Sequence, residues 1–234
     1  MTHPIRGVIF DKDGTLFDFD KTWGPVTGQM IRAETAGDAV KEAELADVLG
    51  FDLAHDRFIP GSVVIASTAD VVEAAILPFT QDQDATALRT RMRDATSHVP
   101  QIVVGDLPSL FADLTVRGLT LGIATNDAEA PALANLAQFD LAQHFAFIAG
   151  MDSGFGGKPA PGQLLGFCDQ TGLSPEVCVM VGDSLHDLHA GRAAGMRTVG
   201  VLTGPAPREE IAPVADVVLA SIMDLPAWLD GVAA

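Results

Sequence analysis

The feature of the sequence that most constrains its fold is a unit in which a short apolar run ends abruptly in small or polar residues. Four segments show this pattern clearly: residues 6–10, 119–124, 145–149 and 177–181. Two further candidates cover residues 198–202 and 217–220. Apolar runs of this length are typical of strands that are buried on both faces of a parallel sheet.

Amphipathic helical patterns separate these runs. They cover residues 107–117, 128–139, 161–171 and 185–194. In the first of them, Leu107, Leu110, Phe111 and Leu114 share one face, and Asp106 is expected to cap the N-terminus. Strands that alternate with helices through short connections predict right-handed crossovers and a parallel sheet with helices on both faces. We therefore predict an α/β fold whose ligands lie at the carboxyl ends of the strands.

One segment breaks this alternation, between the first and the second predicted strand. It contains helical patterns at residues 22–35, 38–49, 69–77 and 84–97, with a cap at Ser67 or Thr68 and a brief β-branched run at 63–65. About 80 residues is far too long for a crossover connection. We predict an inserted helical domain at 20–99, punctuated by Gly24-Pro25 and Pro60-Gly61, within a core of residues 1–19 and 100–234.

The composition restricts the class of partner and the compartment. The formal net charge is −17, so the surface repels nucleic acid and anionic lipid, and a phosphate-bearing partner needs a local electropositive site. Cys168 and Cys178 are predicted to be buried thiols rather than a disulfide. No apolar run approaches the length of a membrane span, and the N-terminus lacks a secretory pattern, so we expect a cytoplasmic protein.

Two aspartates, Asp11 and Asp13, directly follow the first predicted strand and precede Gly14 and Thr15. If the strand conformation continued, their side chains would point the same way and could address one ligand. Two carboxylates that close repel each other unless a cation or a proton lies between them. The alternative is a turn with a helix cap, where Asp and Gly are both frequent.

A second acidic cluster follows the predicted strand at 177–181. Asp183 and Asp187 are four residues apart at a helix start, so they share a face. With Asp11 and Asp13, they would place four carboxylates at adjacent strand ends, which is unfavourable without a divalent cation. Oxygen-only ligands favour Mg²⁺. Capping of the helix dipole is the alternative explanation for one of these carboxylates.

Two further segments could complete a phosphate site. Thr125 offers a hydroxyl at the end of the second predicted strand, and the backbone N–H groups of Asn126 and Asp127 lead into a helix. Lys158 lies in a Gly- and Pro-rich loop and is one of only 14 basic residues. Alone it would be a solvated surface lysine, but beside these clusters it is expected to neutralise phosphate charge.

These segments resemble the motifs of the haloacid dehalogenase-like hydrolase superfamily, in the expected order and over essentially the whole chain. The four motifs are Asp11-Lys12-Asp13-Gly14-Thr15, Thr125-Asn126, Lys158-Pro159 and Gly182-Asp183-Ser184 with Asp187. The resemblance implies a Rossmann-like core with a helical cap inserted after the first motif. It is strongest to the branch of phosphoglycolate phosphatase and β-phosphoglucomutase.

The same resemblance implies a role for each motif residue. Asp11 would attack phosphorus and form an aspartyl-phosphate, and Asp13 would act as general acid and then as general base. Mg²⁺ would be bound by the Asp11 carboxylate, the Asp13 main-chain carbonyl and Asp183, with Asp187 nearby. Substrate phosphoryl oxygens would be held by Thr125, Asn126 and Lys158.

Asp13 separates the activities known in this family. Dehalogenases lack an aspartate there and phosphonate-cleaving members carry a small residue, whereas cleavage of a phosphate ester needs a general acid. We expect hydrolysis of a small phosphate monoester, phosphoglycolate-like or a sugar phosphate. A sugar phosphomutase of the β-phosphoglucomutase type and a non-catalytic binding protein on the same core are the alternatives.

Specificity is expected to depend on the cap, where the sequence is less informative. Arg89, Arg91 and Arg93 alternate along a predicted helix and do not share a face, which favours solvated side chains. The alternative is that one of them binds a second anionic group of the substrate. The expected partner is a small phosphorylated metabolite, without nucleic acid or membrane, and the oligomeric state is left open.

Overall fold

A parallel sheet of six strands organises the larger of two structural units. The computed structural model describes residues 4–66, 69–96 and 99–233. The units are Met1–Asp18 with Val103–Ala234, here the core unit, and Phe19–Ile102, here the inserted unit. The domain limits expected from the sequence fall after residues 19 and 99, whereas the two units divide after residues 18 and 102.

The strands in chain order are β1 (Gly7–Phe10), β2 (Phe51–Asp52), β3 (Arg57–Phe58), β4 (Thr120–Ala124), β5 (Phe145–Ala149), β6 (Cys178–Gly182), β7 (Arg197–Val201) and β8 (Val217–Leu219). The sheet of the core unit has the order β5-β4-β1-β6-β7-β8, and all of its strand pairs are parallel. All six strands predicted from the sequence are confirmed, with each end displaced by at most one residue.

The position of β1 in this sheet determines which loops meet. β1 pairs with β4 on one side and with β6 on the other, and Phe10 lies level with Ile123 and Val181. Because the three strands are parallel, the residues that follow them emerge at the same edge. The acidic cluster after β1 is therefore flanked by the polar residues that follow β4 and β6.

Alternate residues of the buried strands face two separate apolar clusters. Val8 and Phe10 belong to one cluster with Val181, whereas Ile9 belongs to the other with Met180. Side chains in a strand point alternately to opposite faces, so the sheet is covered on both sides. This is the reason why its strands are continuous apolar runs, and the predicted α/β fold is confirmed.

The helices in chain order are α1 (Phe19–Glu34), α2 (Ala39–Leu49), α3 (Val63–Ala66), α4 (Ala69–Ile76), α5 (Ala85–Thr96), α6 (Leu107–Val116), α7 (Glu129–Ala137), α8 (Gly162–Thr171), α9 (Leu185–Ala194), α10 (Arg208–Ile211) and α11 (Leu225–Ala233). The predicted cap of α6 is confirmed, because the carboxylate of Asp106 accepts a hydrogen bond from the Ser109 N–H at 3.2 Å. Cys168 and Cys178 are buried free thiols, as expected.

The inserted unit consists of helices α1 to α5 around its own apolar core. Ile31, Leu45, Leu49, Phe51 and Phe58 are at most 5% exposed and belong to this core. A short antiparallel pair, β2 with β3, brings the rings of Phe51 and Phe58 to a centroid distance of 5.1 Å. The pair was not expected from the sequence, because two residues per strand are too few to show an alternating pattern.

Two segments of the inserted unit are helical although their residues are poor helix formers. The β-branched run at 63–65 belongs to the helix α3, which begins after Ser62: the hydroxyl of Ser62 accepts from the Val64 N–H at 3.3 Å. Gly24 and Pro25 lie inside α1 (Phe19–Glu34), so the helix predicted at residues 22–35 is confirmed although it contains a proline. Gly24 is required because a Cβ there would overlap the carbonyl oxygen of Asp56. The expected cap at Ser67 or Thr68 and the expected helix end at residue 97 lie outside the described residues.

Two arginines of α5, Arg89 and Arg91, are not simply solvated, whereas Arg93 is exposed as expected. Arg89 donates to both carboxylate oxygens of Glu73 at 2.7 and 2.9 Å. Arg91 makes the same bidentate contact with Glu34, with both distances at 2.7 Å, and donates to Asp82 at 2.9 Å. Because Arg89 and Arg91 lie on different sides of α5, each reaches a different buried glutamate, and their positive charge is neutralised within the inserted unit.

No helix in the described parts of the chain has the combination of length and apolar character that crossing a membrane requires.

Candidate active site

Three carboxylates meet at the carboxyl ends of β1 and β6. Asp11 follows β1, Asp183 follows β6, and Asp187 lies in the first turn of α9. One oxygen from each lies within 4.8 Å of the other two. All three residues are at most 9% exposed. The pairing of β1 with β6 therefore joins two acidic segments that are about 170 residues apart, as their places at strand ends predicted.

A lysine bridges two members of this acidic cluster. The Nζ atom of Lys158 donates to Asp11 Oδ1 at 2.7 Å and to Asp187 Oδ1 at 2.6 Å. The side chain of Lys158 is 2% exposed. This lysine is therefore not a solvated surface residue, and its positive charge lies beside the carboxylate that was expected to be the nucleophile.

The side chain of Asn126 forms hydrogen bonds with both the N–H and the carbonyl group of the Lys158 main chain. Its Nδ2 donates to the Lys158 carbonyl oxygen at 3.0 Å, and its Oδ1 accepts from the Lys158 N–H at 2.8 Å. The sequence predicted that Asn126 would contact substrate. In the structure its side chain fixes the loop that carries Lys158, through two hydrogen bonds between residues 32 positions apart. Contact of Asn126 with substrate stays a prediction.

Thr125, directly after β4, is held by contacts with its hydroxyl and its carbonyl group. The hydroxyl accepts from the Asp127 N–H at 3.0 Å, and Gln163 Nε2 donates to the carbonyl oxygen at 2.9 Å. Thr125 is 2% exposed and Gln163 is fully buried. One of the two N–H groups expected to form an anion cradle, that of Asp127, is thus used by the threonine hydroxyl.

The charge balance of the acidic cluster is reflected in its pKa values. Burial is the largest cause of a rise in the pKa of Asp11 from 3.8 to about 7; Lys158 opposes this rise and Asp187 adds to it. Burial, followed by repulsion from Asp187 and Asp11, raises the pKa of Asp183 well above its usual range. Burial acts to lower the pKa of Lys158, but attraction to Asp11 and Asp187 outweighs it and raises that pKa.

The donor set fits a divalent cation of the magnesium type. Three carboxylates share one ammonium group, so the cluster has an excess of negative charge when all four groups are ionised. Its described donors to an ion are carboxylate oxygens, which suit Mg²⁺ better than zinc or copper. Asp187 also accepts hydrogen bonds from the N–H and the hydroxyl of Ser184, at 3.0 and 2.6 Å. Asp187 therefore caps the N-terminus of α9, as the alternative explanation proposed, and also belongs to the acidic cluster.

Asp13 is not one of the three carboxylates that form this cluster. The strand ends at Phe10, and the carbonyl of Lys12 then accepts from the N–H groups of Leu16 and Phe17 at 2.9 and 3.2 Å. Because the chain turns there, the alternation that would align Asp13 with Asp11 does not continue. Its Oδ2 lies 2.6 Å from Lys12 Nζ. The assumption that four carboxylate side chains would meet is therefore wrong.

The turn after Asp13 needs a glycine. Gly14 has a φ of +80°, and a Cβ at this position would overlap the carboxylate of Asp183. The hydroxyl of Thr15 donates to Asp183 Oδ1 at 3.2 Å, and that of Thr203 donates to the Gly14 carbonyl at 2.6 Å. These contacts hold the loop after β1 against the loops after β6 and β7.

Sequence reasoning missed Lys12 and Gln163, which are fully buried. Lys12 lies between the two aspartates, and Asp13 and Asp127 outweigh burial and raise its pKa. A lysine directly after a buried strand and between two acids was a signal that could have been used. Gln163 gave no such signal, because it lies in α8 and its contact with the Thr125 carbonyl joins residues 38 positions apart.

The motifs, the fold and this cluster have counterparts in known proteins. Residues 5–195 match the family model described as haloacid dehalogenase-like hydrolase. The chain belongs to this family. The predicted family is thus confirmed, and so is the prediction that the chain is an enzyme of the hydrolase class. The Rossmann-like core that the resemblance implied is also confirmed.

Curated relatives agree with the expected branch of the family. The chain is 35% identical to the phosphoglycolate phosphatase of Escherichia coli K12 over 229 residues, which cover 94% of this chain and 91% of that protein. It is 31% identical to the N-acetylmuramic acid 6-phosphate phosphatase of Pseudomonas putida over 210 residues, with coverages of 86% and 84%. The predicted resemblance to phosphoglycolate phosphatases is confirmed.

Solved structures show the same fold. A family hydrolase from Deinococcus radiodurans, crystallised with bound phosphate and sodium, superposes with a TM-score of 0.73 at 24% identity, and the match covers 98% of this chain and 97% of that one.

Proposed function

We propose that this hydrolase is a Mg²⁺-dependent phosphatase that cleaves a small phosphate monoester through an aspartyl-phosphate on Asp11. The observation that carries the proposal is the buried Asp11 carboxylate, which shares Lys158 with Asp187 and lies within 4.8 Å of the carboxylates of Asp183 and Asp187. Such a site combines a nucleophile with positive charge for a phosphoryl group. The phosphatases among its relatives support the same activity.

In the proposed reaction each polar group of the core unit has a defined task. The free carboxylate oxygen of Asp11 attacks phosphorus while Lys158 offsets negative charge on the phosphoryl oxygens. Asn126 keeps Lys158 in position through its two main-chain hydrogen bonds. Asp13 gives a proton to the departing alcohol and takes one from the water that hydrolyses the aspartyl-phosphate. Thr125, held by Gln163, contributes its hydroxyl to the phosphoryl oxygens.

The metal would be held by Asp11, Asp183 and Asp187, whose oxygens form the compact donor set described above. When bound, Mg²⁺ would supply charge neutralisation to the phosphoryl group and to the attacking carboxylate. The main-chain carbonyl of Asp13 is a further proposed ligand, as the family resemblance implies.

The remaining assignments follow from this activity. We assign the inserted unit as a cap that selects the substrate, and a small phosphorylated metabolite as the partner. The net charge of −17 argues against nucleic acid and anionic membranes as partners and is compatible with a cytoplasmic enzyme. The names of the relatives place 2-phosphoglycolate and sugar phosphates first among the substrates to be tried.

The test is release of inorganic phosphate by purified protein from p-nitrophenyl phosphate and from a panel of about a hundred phosphorylated metabolites. Turnover with Mg²⁺ is expected to disappear with EDTA and in Asp11→Asn, and to persist in Asp169→Asn, a matched change at an exposed aspartate. The absence of turnover with Mg²⁺, or turnover that survives both EDTA and Asp11→Asn, contradicts the proposal. Conversion of a sugar phosphate to its isomer without phosphate release would instead indicate the phosphomutase.

A further inference from the structure

Lys12 is a fully buried lysine in the loop between the two aspartates. Its ammonium group lies 2.6 Å from Asp13 Oδ2, donates to Asn135 Oδ1 at 3.1 Å and lies 3.4 Å from Asp127 Oδ2. The ring of Phe17 lies 5.8 Å from the same Nζ atom. A buried ammonium group is costly unless its hydrogen bonds are satisfied, and here three side chains from three different segments surround it.

The two oxygens of Asp13 are in different environments. Oδ2 is occupied by Lys12, whereas Oδ1 is buried and has no hydrogen-bond partner among the described residues. Buried carboxylate oxygens in native proteins are normally paired, so an unpaired one calls for a functional explanation. A carboxyl group whose Oδ2 accepts from an ammonium group carries its proton, when it has one, on Oδ1.

We infer that Lys12 is a positioning residue that orients the Asp13 carboxyl group and leaves its Oδ1 free to meet the leaving alcohol in the reaction. This inference rests on the proposed phosphatase function. As the bond between Asp11 and phosphorus forms and the bond from phosphorus to the alcohol oxygen breaks, the proton on Asp13 Oδ1 goes to that oxygen. The hydrolytic water later returns a proton to the same atom.

Asn135 and Asp127 explain how Lys12 can hold a fixed position. Asn135 lies on α7 and Asp127 in the segment after β4, so both belong to the part of the core unit that also carries Thr125. Lys12 therefore ties the orientation of Asp13 to the segment that carries Thr125. Replacement by an apolar side chain of similar length would leave Asp13 without this partner and free to turn.

The test uses substrates that differ in their need for a general acid. A primary alkyl phosphate has a poor leaving group that requires protonation, whereas 2,4-dinitrophenyl phosphate has a good one that does not. The value of kcat/KM reports the steps up to the first irreversible one, so it isolates the transfer to Asp11 from the later hydrolysis. General acid catalysis is typically worth about 10² to 10⁴ in rate.

For Lys12→Met we expect kcat/KM for the alkyl ester to fall by about 100-fold and for the dinitrophenyl ester by less than about 5-fold. Lys12→Gln keeps a hydrogen-bond donor, so its kcat/KM for the alkyl ester should lie between the values of wild type and Lys12→Met. If Lys12→Met does not fold, Lys12→Gln is used in its place. Lys41→Met is the matched control, since Lys41 is exposed on α2, and it should leave both values unchanged.

A double-mutant cycle separates positioning from general damage to the fold. If Lys12 acts through Asp13, replacing Lys12 in the Asp13→Asn variant should have little further effect. We expect kcat/KM for the alkyl ester to fall by less than about 3-fold relative to Asp13→Asn alone. Equal losses on both esters, or effects of the two substitutions that multiply, overturn the inference while leaving the phosphatase proposal intact. An inactive wild-type protein overturns both.

Discussion

Replacing Asp11, the proposed nucleophile, should make the metal-free protein more stable, and the gain should depend on pH. In Asp11→Asn the side chain keeps its shape but loses the charge that is buried beside Asp183 and Asp187. Burial is the largest cause of the raised pKa of Asp11, and repulsion from Asp187 adds to it. The substitution removes this cost, while Lys158 keeps Asp187 as a partner.

The size of the effect follows from the two pKa values. A carboxyl group with a pKa of 3.8 in the unfolded chain and about 7 in the folded one binds its proton more tightly when folded. Its contribution to stability is therefore fully present below pH 3.8 and is lost as pH rises through 7. At about 1.4 kcal/mol for each pKa unit, the loss is about 2 kcal/mol at pH 5 and about 4 kcal/mol at pH 8.

The assay is urea unfolding of wild type and Asp11→Asn in EDTA, at pH 5 and at pH 8. The free energy of unfolding of the variant should exceed that of wild type at both values, with a difference larger by about 2 to 3 kcal/mol at pH 8. Asp169→Asn, an exposed matched change, should show no such trend. A variant that is no more stable than wild type at pH 8, or a difference independent of pH, would refute the reasoning.

Two other substitutions test contacts within each unit. Asn126→Ala removes both hydrogen bonds to the main chain of Lys158, so kcat should fall by about 10- to 100-fold with little change in the thermal midpoint; unchanged kcat would contradict the positioning role. Arg91→Met leaves Glu34, which is 7% exposed, without its bidentate partner, and should destabilise the protein by about 1 to 3 kcal/mol in urea unfolding. Arg93→Met, at a side chain that is 74% exposed, is its control, and equal effects of the two would contradict the assignment.

Much of the secondary structure could be predicted because local patterns carry it. The strands are apolar runs since both faces of the sheet are covered, and Asp106 and Asp38 cap their helices by contacts within three residues. Prediction failed for β2 and β3, because two residues per strand are too few to show an alternating pattern. At residues 63–65 the β-branched side chains gave no helix signal, yet these residues form α3 after Ser62.

The candidate site, too, could be predicted in part from the sequence. The sequence by itself indicated most of the candidate site residues, because acids, a threonine and a lysine directly after predicted strands or in a loop between them can be recognised one motif at a time. It also determined that they would lie at one edge, since the carboxyl ends of parallel strands share it.

Only the tertiary structure decided what each of these side chains contacts. Lys158 reaches Asp11 across 147 positions and Thr15 reaches Asp183 across 168, because β1 pairs with both β4 and β6. Because the chain turns after Phe10, Asp13 lies apart from the other carboxylates and its Oδ2 contacts Lys12 Nζ. These contacts depend on the pairing of distant strands and on the direction of one turn, and neither is encoded in a short stretch of residues.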